Sequence, residues 1–441
     1  MIQLSDHFTY SKLLRYTFPS IVMLIVTSIY SVVDGLFVSN FVGKTPFAAI
    51  NLIWPFLMIL SSVGFMFGTG GAALIGKTLG EGNPEKANRI FSLIIYVSAA
   101  CGVMLMVFGI LLCRRVAVFF GAEGQLLEDS VLYGRIYMLG VPACVLQYEF
   151  QTLFPTAERP KLGLYVTVAA GVTNIVLDAL FVGMLPFGIA GAAAASALSQ
   201  CVGGFVPLFY FGRKNTSKLR LIKTNWDGNA LLRCCTNGSS ELLSNISMAI
   251  VGMLYNVQLM RYVGEDGVAA YGVLMYVNLI FLAIFIGYSV GVAPVVSFHY
   301  GAGNHKELHS LLRKSFVIIG ISSVVMFFAA ECMAQPLSRM FVSYDDTLLQ
   351  ITMRGFLLYS FSFLFVGVAI FGPSFFTALN NGLVSAAISF LRTLVFEVAA
   401  VLLLPMILDV DGIWLSVVGA ELMAAMLSIF FLIKNRKKYQ Y

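Results

Sequence analysis

Two carboxylates in the long apolar stretches of this 441-residue chain could do chemistry together. Asp34 lies in the second half of the first apolar stretch, well beyond Pro19. Asp178 lies near the carboxyl end of the fifth apolar stretch. A carboxylate in the middle of a membrane helix costs ~2.5–3.5 kcal/mol on insertion scales, so each should face a partner or a polar cavity. Asn174 precedes Asp178 by four residues and therefore shares its helix face. Ser196 lies at a similar depth in the sixth stretch.

We expect these four side chains to reach one site, since their depths converge. Carboxylate, amide and hydroxyl oxygens form a hard-ligand set that could bind Na⁺, with Asp34, Asn174 and Asp178 as the central ligands. Two carboxylates in one dry site also repel each other, and uptake of a proton relieves that repulsion. The alternative is that Asp34 and Asp178 merely cap helix ends or meet interfacial water.

Other polar side chains in apolar stretches could line a cavity for a cationic substrate. The candidates are Glu149 and Gln151 in the fourth stretch and Glu241, Asn245 and Tyr255 in the seventh. Glu149 could instead be a solvated carboxylate that reaches the membrane surface.

The eleventh stretch contains Arg392 and Glu397. Five residues separate them by about 140° around an α-helix. They could therefore pair only through long side chains, and a purely structural role stays open.

The composition indicates that hydrocarbon, not water, surrounds most of the chain. Hydrophobic residues make up 59% and charged residues 11%, against about 25% charged residues in a soluble domain. About 20 apolar residues cross ~30 Å of hydrocarbon as a helix, the structure that leaves no open backbone groups. Twelve spans are predicted, at 13–40, 47–75, 90–112, 134–155, 162–182, 188–211, 236–260, 269–297, 315–333, 354–378, 384–405 and 412–433. The fold class is an all-α integral membrane protein.

Basic residues predict the orientation of these spans. With a cytoplasmic amino terminus, the cytoplasmic segments hold 20 of the 28 lysines and arginines, and the opposite segments hold seven. This asymmetry favours cytoplasmic amino and carboxyl termini. The net charge of +6 needs no nucleic-acid partner, because basic loops meet an anionic lipid leaflet.

A shift along the sequence by the distance from Gly80 to Gly301 overlays the two halves of the chain. We call this distance the repeat offset. It carries Gly80-Glu-Gly-Asn83 onto Gly301-Ala-Gly-Asn304, and Thr156-Ala157 onto Thr377-Ala378. Six spans per half predict two lobes, residues 1–211 and 234–441, related by a pseudo-two-fold axis along the membrane normal with a cleft between them. Residues 212–233 form a basic linker, expected on the cytoplasmic membrane surface.

The second half repeats the spans of the first half but not its intramembrane acidic residues. At the repeat offset, Asp34 falls on Tyr255, and Asp178 falls on Ala399. We therefore expect ion coupling to reside mainly in the first half.

These residues resemble the multidrug and toxic compound extrusion (MATE) family over the whole chain, with more similarity to its bacterial MepA/DinF-like branch. The resemblance rests on the following segments: Pro19, Ser31-Val-Val-Asp-Gly-Leu-Phe-Val-Ser-Asn40, Gly80–Asn83, Ala157-Glu-Arg-Pro-Lys161, Asn174-Ile-Val-Leu-Asp178 and Gly188-Ile-Ala-Gly-Ala-Ala193. In this family, matching positions in spans 1, 5 and 6 form the cation or proton site. At the Ser196 position the family often has Thr.

The resemblance implies an antiporter that exports organic cations and amphipathic drugs in exchange for H⁺ or Na⁺. We expect a monomer in the bacterial inner membrane, with no cofactor other than the coupling ion. One alternative is a flippase for lipid-linked saccharides from the same broader superfamily, which would need a basic cavity. An intramembrane enzyme is another alternative, but no His pair with metal-binding spacing is evident. No ATPase motif is evident either, so we expect an ion gradient to drive transport.

Overall fold

The computed structural model describes residues 2–185, 187–342 and 346–441, and in these ranges the regular structure is entirely helical. We number the α-helices in chain order. They are α1 (Tyr10–Phe37), α2 (Lys44–Ser61), α3 (Val63–Gly80), α4 (Pro84–Phe119), α5 (Gly124–Thr156), α6 (Pro160–Asp178), α7 (Gly188–Gly212), α8 (Gly228–Tyr262), α9 (Glu265–Gly301), α10 (His305–Val342), α11 (Asp346–Ser360), α12 (Phe363–Ala378), α13 (Gly382–Phe390), α14 (Glu397–Leu403) and α15 (Pro405–Tyr439).

These helices account for all twelve predicted spans. Ten helical segments are long and apolar enough to cross a membrane, and α11 with α12 forms an eleventh span that bends by 51°. The remaining span is α5, whose 33 residues extend ~50 Å. Polar and charged side chains interrupt its apolar stretches, and most of its second half is buried inside the protein. The predicted all-α membrane fold is confirmed.

Three spans contain a short π-helical segment. These segments are Val38–Val42 after α1, Ala179–Met184 after α6, and Leu391–Phe396 between α13 and α14. Each therefore lies next to an intramembrane charged residue singled out from the sequence. A π-helix widens the turn, because its hydrogen bonds join residues five apart, and such turns are frequent at functional sites.

The tandem repeat is visible in the backbone of the loops. Gly82 and Gly303 correspond at the repeat offset, and both have positive φ, at 78° and 66°. Glu158 and Asn380 also share a left-handed conformation, but Asn380 lies one position further along the chain than the repeat offset predicts. The gap-free repeat is therefore wrong at this turn, where the second half has one more residue.

We call α1–α7 the N-terminal lobe and α8–α15 the C-terminal lobe. Both chain ends lie on one side of the helix bundle, which we call the terminal face; the opposite side is the distal face. The lobes cross closely near the terminal face, where α3 meets α8. A Cβ atom on Gly238 would lie only 1.9 Å from the carbonyl oxygen of Met66, and one on Gly70 would lie 2.0 Å from that of Cys234. Small residues thus permit direct backbone contact between the lobes.

The lobes separate toward the distal face. A cavity of about 440 Å³ lies there between α2 and α8. Its walls are apolar side chains and two amides, from Asn51, Leu52, Pro55, Phe120, Met248, Ala249, Gly252, Met253 and Asn256. The lobes are therefore in direct backbone contact near the terminal face, and a mainly apolar cavity lies between them at the distal face.

The amino-terminal segment joins the two lobes across the terminal face. The backbone N–H of Leu4 donates to Glu158 of the N-terminal lobe (2.9 Å), and that of Phe8 donates to Glu307 of the C-terminal lobe (2.9 Å). His7 Nδ1 lies 2.6 Å from the other carboxylate oxygen of Glu307. Leu4 and Phe8 are almost fully buried, so this segment is part of the closed face.

The linker between the lobes, residues 213–227, packs along α4. The backbone N–H groups of Arg220 and Ile222 donate to Asn88 Oδ1 and Ser92 Oγ, both at 2.8 Å. Leu219 is fully buried. Helix α8 then begins at Gly228, so the linker is shorter than predicted.

Candidate functional site

The ends of α1 and α6 position the two carboxylates singled out from the sequence. Asp34 lies in the last turn of α1, and Asp178 is the last residue of α6. A π-helical segment begins at Val38, just after the turn that holds Asp34, and another begins at Ala179, directly after Asp178. Helices α1 and α6 pack against each other, so both carboxylates point into the interior of the N-terminal lobe.

The structure brings three of the four predicted ion-site residues into contact. The carboxyl group of Asp34 faces the carboxyl group of Asp178 and the amide of Asn174. Asp178 and Asn174 are almost fully buried. Ser196, on α7, is also buried and lies beside the hydroxyl of Tyr133.

Tyr133 on α5 is a site residue that the sequence analysis missed. Its hydroxyl faces Asp34, Asp178 and Ser196, and its side chain is 1% exposed. In the sequence, the position of Tyr133 near one end of a span could have suggested a site residue. This indication is weak, because most tyrosines in membrane proteins pack against helices or lipid. Tyr30 also faces Asp34. A stronger signal pointed to Tyr30, since it lies four residues before Asp34 and shares its helix face.

Several buried oxygens of this site have no hydrogen-bond partner within the described part of the chain. They are Asp34 Oδ1, Asn174 Oδ1, both carboxylate oxygens of Asp178, and Tyr133 Oη. Buried polar atoms are normally paired, and an ionised carboxylate without a partner is costly in a dry interior. Two adjacent carboxylates increase this cost by mutual repulsion. The donor set therefore fits a small positive species, either Na⁺ held by oxygens or a proton on one carboxylate.

Glu149 and Gln151 lie apart from this site. Glu149 is ~16 residues beyond Tyr133 on α5, or ~24 Å along the helix. Its side chain is fully buried and accepts a hydrogen bond from Ser98. The alternative of a solvated carboxylate at the membrane surface is therefore wrong for Glu149. The amide of Gln151 is buried without a partner among the described residues.

Three candidates for a substrate cavity lie on α8. None of Glu241, Asn245 and Tyr255 belongs to the walls of the distal cavity. Asn245 Nδ2 donates to the backbone oxygen of Glu241 (2.8 Å). Tyr255 is 2% exposed and stacks on Tyr271 at 5.3 Å between ring centroids. The structure thus directs Tyr255 into the C-terminal lobe rather than into the cavity between the lobes.

The C-terminal lobe contains its own charged group. Arg392 pairs with Glu421 on α15, and its guanidinium also faces Glu397 and Glu241. The wide angle expected between Arg392 and Glu397 is wrong, because the intervening segment is π-helical and places residues five apart near one side. Charge is therefore not confined to the first half, although the repeat places Tyr255 opposite Asp34. With the one extra residue between Ala378 and Asn380, Ala400 and not the expected Ala399 lies opposite Asp178.

Comparisons with known proteins agree with this architecture. The sequence profile of the MatE family matches the chain twice, at residues 19–180 and 242–403. The two matches lie at equivalent places in the two halves, in line with the tandem repeat. A relative, the multidrug export protein MepA of Staphylococcus haemolyticus, is 23% identical over 365 residues, which cover 81% of this chain and 80% of the relative.

Solved structures have the same fold over nearly the whole chain. The crystal structure of a MATE protein in complex with MaL6 superimposes with a TM-score of 0.93 at 20% identity and covers 98% of both chains. The outward-facing structure of a multidrug resistance MATE family transporter superimposes with a TM-score of 0.92 at 20% identity, covering 98% of this chain and 97% of the other. Since the two profile matches span most of the sequence, the chain belongs to the MatE family of multi-pass membrane transporters.

Proposed function

We propose that this protein is a secondary antiporter that exports organic cations or amphipathic drugs in exchange for inward H⁺ or Na⁺. The observation that carries the proposal is the buried cluster of Asp34, Asn174 and Asp178, whose unpartnered oxygens require positive charge. The similarity to the multidrug export proteins MepA supports a drug as the exported substrate. The apolar distal cavity has the character expected for binding amphipathic molecules.

The orientation of the spans gives this transport a direction. If both chain ends are cytoplasmic in a bacterial inner membrane, as the distribution of basic residues predicts, the terminal face is the cytoplasmic side. The molecule is then outward-open: the distal cavity faces outside, while the crossing of α3 and α8 closes the cytoplasmic side. An external ion would enter from the open side and reach Asp34 and Asp178 near the distal end of their helices.

Helix α1 can couple the ion site to the interface between the lobes. It carries Asp34 near its distal end, and near its terminal end it contacts α9, where a Cβ atom on Gly291 would lie 3.0 Å from Thr17. In its middle, the hydroxyl of Ser28 lies 3.4 Å from the backbone oxygen of Leu279 on α9. A change of charge at Asp34 therefore acts on a helix that packs against both lobes. Reciprocal effects of ion and drug on each other's affinity follow from this linkage.

A flippase for lipid-linked saccharides fits the structure less well. Such a protein needs basic side chains to bind anionic pyrophosphate. Among the described residues, no charged side chain lines the distal cavity, and Arg392 is engaged by Glu421.

Replacement of Asp34 with Asn tests the proposed antiport. We expect the variant to lose efflux of a fluorescent organic cation from proteoliposomes, because the amide can neither bind a proton nor supply a charged ligand. The matched control is Asp227→Asn: Asp227 is exposed and caps α8 through a 3.0 Å hydrogen bond from the N–H of Ala230, and Asn caps equally well.

Separate gradients of H⁺ and Na⁺ identify the coupling ion in the same proteoliposomes. Efflux driven by only one gradient in the wild-type protein and in Asp227→Asn would name that ion. Full efflux by both Asp34→Asn and Asp178→Asn would overturn the assignment of the coupling site.

A further inference from the structure

The turn between α12 and α13 brings one polar side chain of the C-terminal lobe against the backbone of the N-terminal lobe. Asn380 Nδ2 donates to the backbone oxygen of Ala73 on α3 (3.1 Å), across 307 positions of the chain. Ala73 lies one turn beyond Gly70, where α3 crosses α8, and is closer to the terminal end of α3. This hydrogen bond therefore belongs to the contact between the lobes near the terminal face.

A second amide fixes the orientation of the Asn380 side chain. Asn237 Nδ2, on α8, donates to Asn380 Oδ1 (2.9 Å), and the Asn237 side chain is almost fully buried. The backbone oxygen of Ala73 can only accept a hydrogen bond, so the donors must run from Asn237 through Asn380 to Ala73. We call these two hydrogen bonds the interlobe clasp.

The backbone holds the clasp in place on the side of the C-terminal lobe. Asn380 has a φ of 57°, a left-handed conformation that Asn tolerates better than most residues. Its N–H donates to the oxygen of Thr377, and the N–H of Asn381 donates to that of Phe376, both at 2.9 Å, which closes α12 with a Schellman motif. A Cβ atom on Gly382 would lie 2.3 Å from the backbone oxygen of Thr236, so the same turn packs directly on α8. The Asn380 side chain therefore cannot follow α3 when the lobes separate.

The corresponding turn of the first half also joins the lobes. Glu158 has a φ of 58°, and its carboxylate accepts the N–H of Leu4 (2.9 Å) in the amino-terminal segment, which Glu307 holds on the C-terminal lobe. The first turn thus acts through an acidic side chain and a separate segment. The second turn acts directly, through an uncharged amide.

We propose that Asn380 holds the lobes together at the terminal face and thereby sets the equilibrium between the two directions of access. Among the described residues, Asn380 belongs neither to the walls of the distal cavity nor to the contacts of Asp34. Its effect is therefore on the conformation and not on the binding of ion or drug. When the lobes separate, water replaces the Ala73 carbonyl as its partner, so the hydrogen bond favours the joined state by only ~2- to 12-fold. A contact of this strength suits a transporter, which must break it in every cycle.

Two substitutions of Asn380 test the clasp in the purified full-length protein with Cys234 as its only cysteine. Cys234 is fully buried at the crossing of α3 and α8, so its alkylation by a maleimide reports separation of the lobes. Asn380→Gly keeps the left-handed backbone and removes the amide, and should accelerate alkylation by ~2- to 12-fold. Asn380→Asp has the same shape but places a carboxylate oxygen against the Ala73 carbonyl, and should accelerate it by roughly tenfold or more.

Asn381→Asp is the matched control, because it adds the same charge one residue further along the chain. The Asn381 side chain accepts the N–H of Val384 (3.4 Å) at the start of α13, and a carboxylate caps a helix equally well. We expect the alkylation rate of Cys234 to stay unchanged in this variant.

A cysteine in the distal cavity distinguishes a change of access from a loosened fold. Asn256 is exposed in the wall of that cavity, and Asn256→Cys provides the second reporter in a protein without other cysteines. Separation of the lobes at the terminal face should not accelerate its alkylation, whereas a loosened fold would accelerate both reporters. Unchanged alkylation of Cys234 in either Asn380 variant would overturn the proposal, as would faster alkylation at both reporters. The assay contains neither drug nor ion gradient, so a failure of the proposed antiport would leave its result unchanged.

Discussion

A single methyl group at the crossing of α3 and α8 should open the terminal face. A Cβ atom at Gly238 would lie 1.9 Å from the carbonyl oxygen of Met66, whereas real Cβ contacts essentially never fall below 3.0 Å. The Gly238→Ala substitution therefore requires the two backbones to separate by at least about 1.1 Å. Because Met66 presents a backbone atom and not a flexible side chain, no rotamer change relieves the clash.

The size of the effect follows from this overlap. Overpacking of a tightly packed contact costs typically ~1–3 kcal/mol. This cost applies only to the state in which α3 and α8 are in contact, so it shifts the equilibrium between closed and open terminal faces by roughly 5- to 150-fold toward the open state. Gly252 lies on the same helix with no atom within 4 Å of its would-be Cβ, so Gly252→Ala is the matched control.

A native cysteine reports this equilibrium. Cys234 is fully buried at the crossing, with its sulfur 3.4 Å from the backbone oxygen of Phe67. In a variant that retains Cys234 alone, Gly238→Ala should accelerate its alkylation by a maleimide by the same factor, while Gly252→Ala should leave the rate unchanged. A second variant that retains only Cys113, fully buried within the N-terminal lobe, reports general unfolding. Unchanged alkylation of Cys234 in Gly238→Ala would refute the view that this crossing closes the terminal face.

The remaining predictions concern the buried pair and the amino-terminal segment. Arg392→Met should destabilise the fold by ~3–5 kcal/mol in reversible unfolding from mixed micelles, because it leaves the Glu421 charge buried and unpaired. Arg392→Met with Glu421→Met should recover most of that loss; an equally unstable double variant would contradict the pairing. Glu307→Ala should raise the rate of proteolysis before Phe8, since it removes the acceptor of the 2.9 Å and 2.6 Å contacts that hold Phe8 and His7. Unchanged proteolysis would show that other contacts hold the segment.

Much of the fold could be predicted, because a membrane restricts the secondary structure that a spanning segment can adopt. Each apolar stretch of about 20 residues must become a helix, so hydropathy indicated the spans, although α5 has no stretch as long and apolar as the others. The helices extend beyond the predicted limits, as α4 does from Pro84 to Phe119, because helix formation continues outside the hydrocarbon. The 51° bend between α11 and α12 was not predicted, since neither proline nor glycine marks the break at Phe361 and Ser362.

The charged groups of the two lobes differ in how far the sequence could reveal them. Asn174 and Asp178 share a helix face by spacing alone, and the cost of an intramembrane carboxylate indicated a site at Asp34 and Asp178. Tyr133 could not be assigned, because its role depends on which helix packs beside α5. The Arg392–Glu421 pair joins residues 29 positions apart on two spans. The spacing of residues along a single helix therefore could not reveal it.

By itself, the sequence indicated the membrane spans, the duplicated scaffold and the acidic residues of the first half. These properties follow from short-range periodicity and from the energetic cost of placing polar groups in hydrocarbon. Only the tertiary structure decided which lobe surfaces touch, where a π-helical turn brings Arg392 and Glu397 to one side, and which face is closed. Those features depend on contacts between segments far apart in the chain, and close backbone packing of small residues such as Gly238 has no signature in composition or spacing.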